Sequence, residues 1–517
     1  MTPRISRDNC QILITARDAF SAFETAVLEA EREIRAGFRL FDFTTRLHSD
    51  AAKAIGETWF DLVLHKINAG VVFDLTVSDF DPIVRTALHG QAWRTVRLGT
   101  AIAQASNNPD NMRVRTHMHS ARIGSLSSLA LWPKSRGLLE ETAKKVDAMS
   151  EAERKEFFLE HPGLQDMLTD ADDETIQPRL WPPEKLVPTT HHHKLAVIDG
   201  TSVYIGGLDL NDRRYDTPDH EQDGPQTWHD IQLLINNSEL AEQVLGHLEI
   251  FKAETDAPTS DYAPERPFLT TRSVGQGNTL VSMAPKTVES GLRDAHLEYI
   301  GQARDMIYLE TQFIRDVGIT DALVTAAQDQ PDLSLVLILP GAPEDVAFED
   351  ADSLDARFGE YMQAECVDRL IDAFGARLFI GSPVKPEPAT GEGRAFLHGA
   401  PLIYVHAKVS IFDNRAAIVS SANLNGRSLS WDTEAGVELT DPDLVRQLKR
   451  ECVAHWLKGG DPDPFLSGPD AIQAWIALGA SNAQRAPQDR NGFLVPYEVA
   501  PGRAFGQNLP GIPREMV

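Results

Sequence analysis

The chain has 517 residues and a formal net charge of −27, because 76 acidic residues outnumber 49 basic ones. An acidic excess of this size disfavours a general electrostatic grip on nucleic acid or on an anionic membrane, although it leaves room for a local basic pocket. Three cysteines exclude a disulfide framework, and the sequence has neither a signal-peptide core nor an apolar run of membrane-spanning length. We therefore expect a cytoplasmic protein that is soluble or peripheral to a membrane. Export by a route without a cleavable signal stays open.

The first part of the chain alternates predicted helices and strands. Apolar residues at helical spacing predict three helices, and short apolar runs predict three strands. In chain order these are a helix over residues 17–36, a strand over 38–43, a helix over 51–68, a strand over 71–76, a helix over 81–105 and a strand over 112–117. This alternation is typical of an α/β layered domain.

Residues 120–187 interrupt this rhythm. They contain a charged helical pattern around residues 139–159, an acidic stretch near residues 170–174 and a proline pair at Pro182 and Pro183. Two interpretations stay open. The segment is either an insertion that forms a rim or lid over a functional site, or a surface helical hairpin with no part in chemistry.

One motif occurs twice, 214 residues apart (406 minus 192). Each copy has a histidine, any residue, a lysine, four residues and an aspartate; two small residues and an Asn-x-Arg tail follow. The first copy contains His192, Lys194, Asp199, Gly206, Gly207, Asn211 and Arg213, and the second contains His406, Lys408, Asp413, Ser420, Ser421, Asn425 and Arg427. Independent coincidences would have to agree in spacing as well as in residue type. The sequence is therefore interpreted as two similar halves that meet at these segments.

The order of predicted elements also repeats after each motif. An acid at the start of a strand, Asp230 or Glu434, is followed by a closing helix. The predicted boundaries are 1–257 for the first half, 258–277 for a linker, 278–458 for the second half and 459–517 for a C-terminal tail of coil with one short helix. The predicted fold is α/β, with two similar domains that are each a mixed β-sheet flanked by helices. A pseudo-twofold axis relates them, and the active site lies at their interface.

Strand parity places the histidine and the lysine of each motif on one face, because side chains two apart share a face of a strand. If the two halves face each other, His192, Lys194, His406 and Lys408 converge on one pocket. This set suits a phosphodiester: lysines balance the charge of the non-bridging oxygens, one histidine attacks phosphorus and the other protonates the departing oxygen. The lysines supply the positive charge, so we expect no metal and no cofactor.

The acids of the two halves are expected to divide into two roles. Asp199 and Asp413 lie an odd number of residues from their histidines, on the other face, and are predicted to make structural hydrogen bonds at turns. Asp230 and Glu434 are the better candidates for orienting the histidines through the second ring nitrogen, with Asp230 beside His192.

Residues after each motif are candidates for holding the phosphate. Asn423 and Ser421 can donate to a phosphate oxygen, and Gly207 occupies the place of Ser421 in the first half. Asp209 stands where Asn423 stands; as an acid beside phosphate it would repel, so it is expected to contact protein or a substrate hydroxyl. Gln312 either lines the pocket or has a structural role at a strand end.

The doubled His-x-Lys-x4-Asp pattern resembles that of the phospholipase D superfamily over roughly residues 17–458. The stretches 206–210, 214–218, 228–230 and 308–313 are similar to the long, lipid-cleaving branch. The resemblance implies that His192 is the nucleophile and His406 the general acid. It also implies a phospholipid substrate at a membrane surface and water or an alcohol as acceptor. Asp209 departs from the superfamily's minimal pattern, which has asparagine there.

Several alternatives stay open. A superfamily nuclease shares the same core, but the net charge disfavours stable nucleic acid binding. A cardiolipin- or phosphatidylserine-type synthase performs the same transfer to another alcohol, and a non-catalytic binding protein is a third class. A metal cluster at 191–193 is disfavoured because adjacent histidines in a strand alternate faces. A monomer is expected.

Overall fold

The computed structural model describes residues 4–170, 175–179, 185–252, 264–276 and 280–516. In the first half the strands are β1 (Cys10–Ile14), β2 (Glu33–Phe38), β3 (Val72–Asp79), β4 (Met112–Met118), β5 (Leu168–Asp170), β6 (Ile176–Pro178), β7 (Lys194–Ile198), β8 (Ser202–Gly206) and β9 (Ile231–Asn236). The helices are α1 (Thr15–Glu29), α2 (Asp50–Lys53), α3 (Trp59–Asn68), α4 (Thr86–Ala105), α5 (Ser125–Asp147), α6 (Glu151–Glu160), α7 (Pro162–Gln165) and α8 (Ser238–Lys252).

The second half has the same kinds of element in the same order. Its strands are β10 (Phe268–Val274), β11 (Lys286–Ser290), β12 (Met306–Glu310), β13 (Ser334–Ile338), β14 (Leu378–Pro383), β15 (Phe396–Leu397), β16 (Ala400–Pro401), β17 (Val409–Phe412), β18 (Ala416–Ser420), β19 (Glu434–Leu439) and β20 (Leu494–Pro496). Its helices are α9 (Gly291–Gln302), α10 (Val317–Asp329), α11 (Glu344–Phe348), α12 (Leu354–Phe374), α13 (Gly426–Ser430), α14 (Pro442–Trp456), α15 (Asp463–Leu466), α16 (Ala471–Gln484) and α17 (Val499–Phe505).

Two large mixed sheets repeat one topology. The first has the order β1-β9-β8-β7-β2-β3-β4, and the second contains β10-β19-β18-β17-β12-β13-β14, with β11 and β20 added at its edges. The pairing directions agree as well: β2, β3 and β4 are parallel to one another, as are β12, β13 and β14, and the remaining matched pairs are antiparallel. The predicted α/β class with two similar mixed sheets is confirmed.

The sheets face each other across a shared apolar core. This core unites residues of both motif hairpins, such as Val197 and Ile411, with the closing helices α8 and α14. On the outer faces, α1 and α3 cover the first sheet and α9, α10 and α12 cover the second. Burial of both faces explains why the central strands are continuous apolar runs rather than alternating patterns.

The two motif hairpins turn at an aspartate with a left-handed backbone. Asp199 has a φ of 52° and Asp413 has a φ of 55°, a region that aspartate tolerates because its short side chain can hydrogen-bond locally. The Asp199 carboxylate accepts hydrogen bonds from the backbone N–H groups of 31, 32 and 33 at the start of β2. The Asp413 carboxylate does the same for 304, 305 and 306 at the start of β12. Each aspartate thus ties its motif hairpin to the neighbouring strand.

Three predicted boundaries differ from the structure. The strand predicted over 38–43 lies earlier, at β2, because the helical pattern of 17–36 ends at Glu29 and its last apolar residues belong to the strand. The predicted linker contains β10, which pairs with β11 and β19; its residues 258–263 and 277 lie outside the described residues. The predicted tail of coil is ordered: β20 joins the second sheet, and Trp475 of α16 is fully buried in the shared core. Both stretches are rich in proline and glycine, so local propensity predicted coil. Pairing with neighbouring strands in the sheet overrides that propensity.

The insertion at 120–187 forms the helices α5, α6 and α7 and the strand pair β5–β6, which enclose a small apolar core of their own. Parts of the predicted acidic stretch and proline pair, 171–174 and 180–184, lie outside the described residues. Among the described residues, none of the helices has both the length and the apolar composition that a membrane-spanning helix needs.

Candidate active site

The motif histidines of the two halves open on one cleft. A cavity of about 350 Å³ is lined by His192 from the first half and His406 from the second. Both histidines lie just before their motif strands, at the ends of β7 and β17 that are nearest the other half. The structure therefore brings together the two histidines that the sequence singled out.

Backbone hydrogen bonds cross between the halves at this point. The N–H groups of His192 and His193 donate to the Thr433 carbonyl at 2.8 and 3.0 Å. In the related position, the His406 N–H donates to the His229 carbonyl at 2.8 Å. Each histidine segment thus runs parallel to the segment of the other half that carries the acid.

This crossing decides which acid meets which histidine. The His192 Nδ1 lies 3.0 Å from the Glu434 carboxylate, and the His406 Nδ1 lies 2.6 Å from the Asp230 carboxylate. The expectation that Asp230 lies beside His192 is wrong, because the acid comes from the opposite half. With Nδ1 held by a carboxylate, Nε2 is the nitrogen that each ring presents for reaction.

Burial dominates the electrostatics of both pairs. It raises the pKa of Asp230 to about 6, against the charge of Lys408, which lowers it. It raises the pKa of Glu434 to about 8, against the charge of Lys194. Burial and nearby cations also lower the pKa of both histidines well below the usual range. Because each histidine and its carboxyl group share a proton, each pair titrates as a unit.

The motif lysines lie behind the histidines rather than on the cavity wall. Both are buried, and each Nζ donates to the backbone carbonyl of its own motif histidine. The Lys194 Nζ also lies 3.9 Å from Asp209. Burial lowers the pKa of Lys408 to about 7, so its charge depends on the acids around it. The charge of each lysine ammonium group therefore lies behind its motif histidine, outside the cleft wall.

The two small residues of the motif support the acids. The Ser421 hydroxyl donates to Glu434 at 2.5 Å and is fully buried, so it faces the acid rather than the cleft. In the first half, a Cβ on Gly207 would lie 2.3 Å from the Asp230 carboxylate. Both residues had been predicted to bind phosphate. Their contacts instead fix the position of the acid in their own half.

The remaining predicted residues divide between the cleft wall and its support. Asn423 lines the cleft, and its side-chain oxygen is buried without a partner. Gln312 also lines the cleft, and its amide donates to the Tyr404 hydroxyl at 2.8 Å. Asp209 accepts from the Arg39 guanidinium at 3.1 Å and from a backbone N–H, so its contacts are with protein.

Five arginines line the cleft, and none of them was predicted from the sequence to have a role there. They are Arg39, Arg85, Arg214, Arg315 and Arg427. Arg427 is the arginine of the Asn-x-Arg tail, and that repeated tail was the available signal. Arg39 follows β2 and Arg85 precedes α4, where nothing in the local pattern marks them.

Acids share the cleft wall with the arginines, and they are Glu344, Asp345, Glu349, Asp355 and Asp432. Near the histidines, the Arg214 guanidinium lies over the Trp228 ring at 3.7 Å, and that ring packs against His406. Toward solvent the lining carries the exposed acids Glu349 and Asp355. None of the lining residues comes from the described part of 120–187, although Lys134 of α5 lies 4.0 Å from Asp355. The described part of the insertion thus touches the rim of the cleft without lining it.

A family model matches the second half of the chain. Residues 296–456, which include His406, Lys408 and Glu434, match the family model described as cardiolipin synthase, PLD-like domain. A cardiolipin synthase of Listeria welshimeri is 25% identical over 290 residues, which are 55% of this chain and 52% of that protein. The chain thus carries a phospholipase D-like domain over residues 296–456 and is similar to members of the phospholipase D superfamily. The first half lies outside the matched residues, but its large sheet has the same strand order as the sheet of the second half.

Other superfamily members match at similar levels. Phospholipase D1 of Saccharomyces cerevisiae is 24% identical over 348 residues, covering 50% of this chain and 20% of that protein. Phospholipase D alpha 3 of Arabidopsis thaliana is 23% identical over 378 residues, covering 49% of this chain and 45% of that protein. The chain thus spans about half or less of the length of these curated relatives.

A solved structure shares the fold along nearly the whole chain. The crystal structure of phosphatidylserine synthase from Haemophilus influenzae superimposes with a TM-score of 0.51 at 12% identity. The superposition covers 93% of this chain and 95% of that one. The two proteins therefore share the two-sheet architecture.

Proposed function

We propose that the protein is a phosphodiesterase and phosphatidyltransferase that acts on phospholipids through a covalent phosphohistidine. The observation that carries this proposal is the pair of histidines that open on one cleft with arginines in its wall, each with its Nδ1 held by a carboxylate. A phosphodiester needs a nucleophile on one side of phosphorus and an acid on the other, and two oriented imidazoles supply both.

In the first step His192 is the nucleophile. Its Nε2 lone pair forms a bond to phosphorus as the bond to the head-group oxygen breaks, and the His406 Nε2–H protonates that oxygen. Glu434 and Asp230 stabilise the positive charge that each imidazole carries during its part of the reaction. The products are the head-group alcohol and a phosphatidyl group on His192.

In the second step the roles reverse. His406, now without its Nε2 proton, takes a proton from water or from an alcohol, and the resulting oxygen attacks phosphorus. The bond to His192 breaks and its electron pair returns to Nε2. Water gives phosphatidic acid, and an alcohol gives a new phosphodiester, so hydrolysis and synthesis share one intermediate.

Positive side chains would stabilise the charge on the phosphoryl oxygens. Guanidinium groups of Arg39 and Arg427 lie on the cleft wall, and the ammonium groups of Lys194 and Lys408 lie just beneath. Fixed charges in a site that excludes water are worth more than in solution. We therefore expect the chemistry to proceed without a metal ion.

The charge distribution favours a lipid over nucleic acid as the substrate. Arginines line the cleft, but exposed Glu349 and Asp355 share its wall and the chain carries −27 overall. A polyanion needs a basic track beyond the reacting phosphate, whereas a single phospholipid head group needs only the pocket. The synthase alternative is favoured by a different observation, the match of 296–456 to a cardiolipin synthase model.

The substrate class can be tested with a panel. The protein is incubated with phosphatidylcholine, phosphatidylethanolamine, phosphatidylglycerol and single-stranded DNA, each with and without ethanol and with a brief exposure to chelator. We expect head-group release and, with ethanol, phosphatidylethanol. Cleavage of DNA alone would refute the lipid assignment, and no turnover of any phosphodiester would favour the binding-protein alternative.

The intermediate can be trapped with an activated substrate. A p-nitrophenyl phosphodiester needs little help from a general acid, so His406→Asn should release one equivalent of p-nitrophenol and retain the phosphoryl group on His192. His192→Asn should give no burst. A burst that survives in His192→Asn and is lost in His406→Asn would assign the nucleophile to the second motif instead.

A further inference from the structure

Three histidines form a buried cluster outside the proposed catalytic cleft. His220 and His229 come from the first half and His455 from the end of α14, and none of them lines the cleft. Their ligand-capable nitrogens all lie within 4.8 Å of one another, the one such group in the described part of the chain. His220 and His229 are fully buried, and His455 is partly exposed.

Two carboxylates fix the tautomers of the buried rings. Asp216 lies 2.7 Å from the His220 Nδ1, so that nitrogen carries the proton and the His220 Nε2 keeps a lone pair. Glu310 lies 2.9 Å from the His229 Nε2, which leaves a lone pair on the His229 Nδ1. Carboxylate–histidine contacts of this kind orient imidazoles that bind a metal ion.

One lone pair in the cluster has no partner. The His455 Nε2 lies 3.1 Å from the His220 Nε2, so a hydrogen bond between them can satisfy those two nitrogens. The His229 Nδ1 is buried and has no hydrogen-bond partner, although it faces the same group of nitrogens. A purely structural cluster would leave this buried acceptor unsatisfied, which costs free energy.

We propose that His220, His229 and His455 bind one divalent transition-metal ion of the Zn²⁺ type. Three neutral imidazoles are the ligand set that suits such an ion, and a fourth position is left for solvent. Tetrahedral bonds of this kind place two nitrogens about 3.3 Å apart, close to the separation of the His220 and His455 nitrogens.

Such an ion would join the two halves next to Asp230, the carboxylate that holds His406. His220 and His229 belong to the first half, whereas His455 and the supporting Glu310 belong to the second. His229 directly precedes Asp230, the partner of His406. The ion would therefore stabilise the interface without touching the substrate.

The chain offers a matched control for this proposal. His247 is fully buried, lies on α8 and has its Nε2 3.2 Å from the His193 Nδ1. The helix α8 closes the first half as α14 closes the second. His247→Leu and His455→Leu thus each remove a histidine that pairs with another histidine, and only His455 belongs to the proposed site.

The experiment measures metal content and thermal stability in protein without a histidine tag. We expect about one equivalent of metal by elemental analysis, and visible d–d absorption when Co²⁺ is titrated into the chelated protein. Zn²⁺ should raise Tm in wild type and in His247→Leu but not in His455→Leu. A wild-type protein that takes up no Co²⁺ at one equivalent would overturn the site, as would His455→Leu that binds like wild type. No substrate enters these measurements, so their outcome is independent of the proposed reaction.

Discussion

The two halves share a sheet, a motif and a turn, but they differ in charge at equivalent positions around the cleft. Arg39 follows β2 and pairs with Asp209, whereas the matching strand β12 leads to Gln312, and Asn423 stands in the place of Asp209. The first half thus presents an ion pair where the second presents two neutral amides. The repeated motif and strand order give the two halves the same geometry, and the different residues at these positions distinguish the two sides of the cleft.

The acids differ in the same way. Asp230, the shorter acid, packs against Gly207, and Glu434, the longer acid, accepts a hydrogen bond from Ser421. Because the backbone crosses between the halves, each acid serves the histidine of the opposite half. Neither motif histidine pairs with a carboxylate of its own half. An active unit therefore requires both halves.

The largest effect is expected from breaking the crossed pairs. Glu434→Gln and Asp230→Asn remove the negative charge that holds each tautomer, and each should lower kcat by roughly 10³- to 10⁴-fold, as for the aspartate of a serine-protease triad. With a p-nitrophenyl leaving group, which needs little protonation, the first-step burst should recover in Asp230→Asn but stay slow in Glu434→Gln. The reverse pattern would show that the nucleophile is the histidine paired with Asp230.

The charge difference can be tested by exchanging the residues at the two equivalent positions. Asn423→Asp places a carboxylate on the cleft wall toward a phosphate anion, and should lower kcat/KM roughly 10- to 100-fold, the repulsion expected of two charges about 7 Å apart. Asp209→Asn is the matched control. Its carboxylate contacts protein, so kcat/KM should change less. A larger loss of kcat/KM in Asp209→Asn than in Asn423→Asp would contradict the division of the two halves.

The pH profile should report both pairs at once. The first step needs the His192–Glu434 pair without its titratable proton and the His406–Asp230 pair with it, so the reactive form is the minority arrangement between the two pKa values. With the pKa of Asp230 near 6 and that of Glu434 near 8, both pairs hold their protons below 6 and both lose them above 8. Measured kcat/KM should therefore be bell-shaped, falling up to about tenfold per pH unit on either side. Loss of the Lys408 charge above about 7 steepens the alkaline side.

Replacing Asp230 tests whether the two histidine–carboxyl pairs control the pH profile. Asp230→Asn should remove one limb of the bell and leave the other, because only one titrating pair remains. The pH profile alone does not assign roles to the histidines, since the same two macroscopic pKa values describe either arrangement. An unchanged bell in Asp230→Asn would mean that other groups control the reaction.

The sequence predicted the parts of the site that follow from local pattern. The histidines and the lysines were found because they repeat at fixed spacing, and the two acids because each stands at the start of the strand that follows its motif. Strand parity placed Asp199 on the face opposite to His192. The pairing of each histidine with an acid of the other half depends on how the halves dock, which no local pattern encodes. The arginines of the cleft wall were not predicted for the same reason, since only the tertiary fold brings Arg39 and Arg85 together.

The hairpin aspartates offer the smallest effect and compare the halves in stability rather than in chemistry. Asp199→Asn and Asp413→Asn keep a residue that tolerates positive φ but weaken three charge-assisted backbone hydrogen bonds. Buried Asp413 should lose about 1–3 kcal/mol of unfolding free energy, and the more exposed Asp199 less, as measured by urea denaturation. Burial acts to raise the Asp199 pKa, but the three N–H donors lower it overall. Its contribution is therefore present above the unfolded pKa and disappears as the pH falls through the folded one. A loss from Asp199→Asn that equals or exceeds that from Asp413→Asn would show that burial does not set the strength of this shared turn.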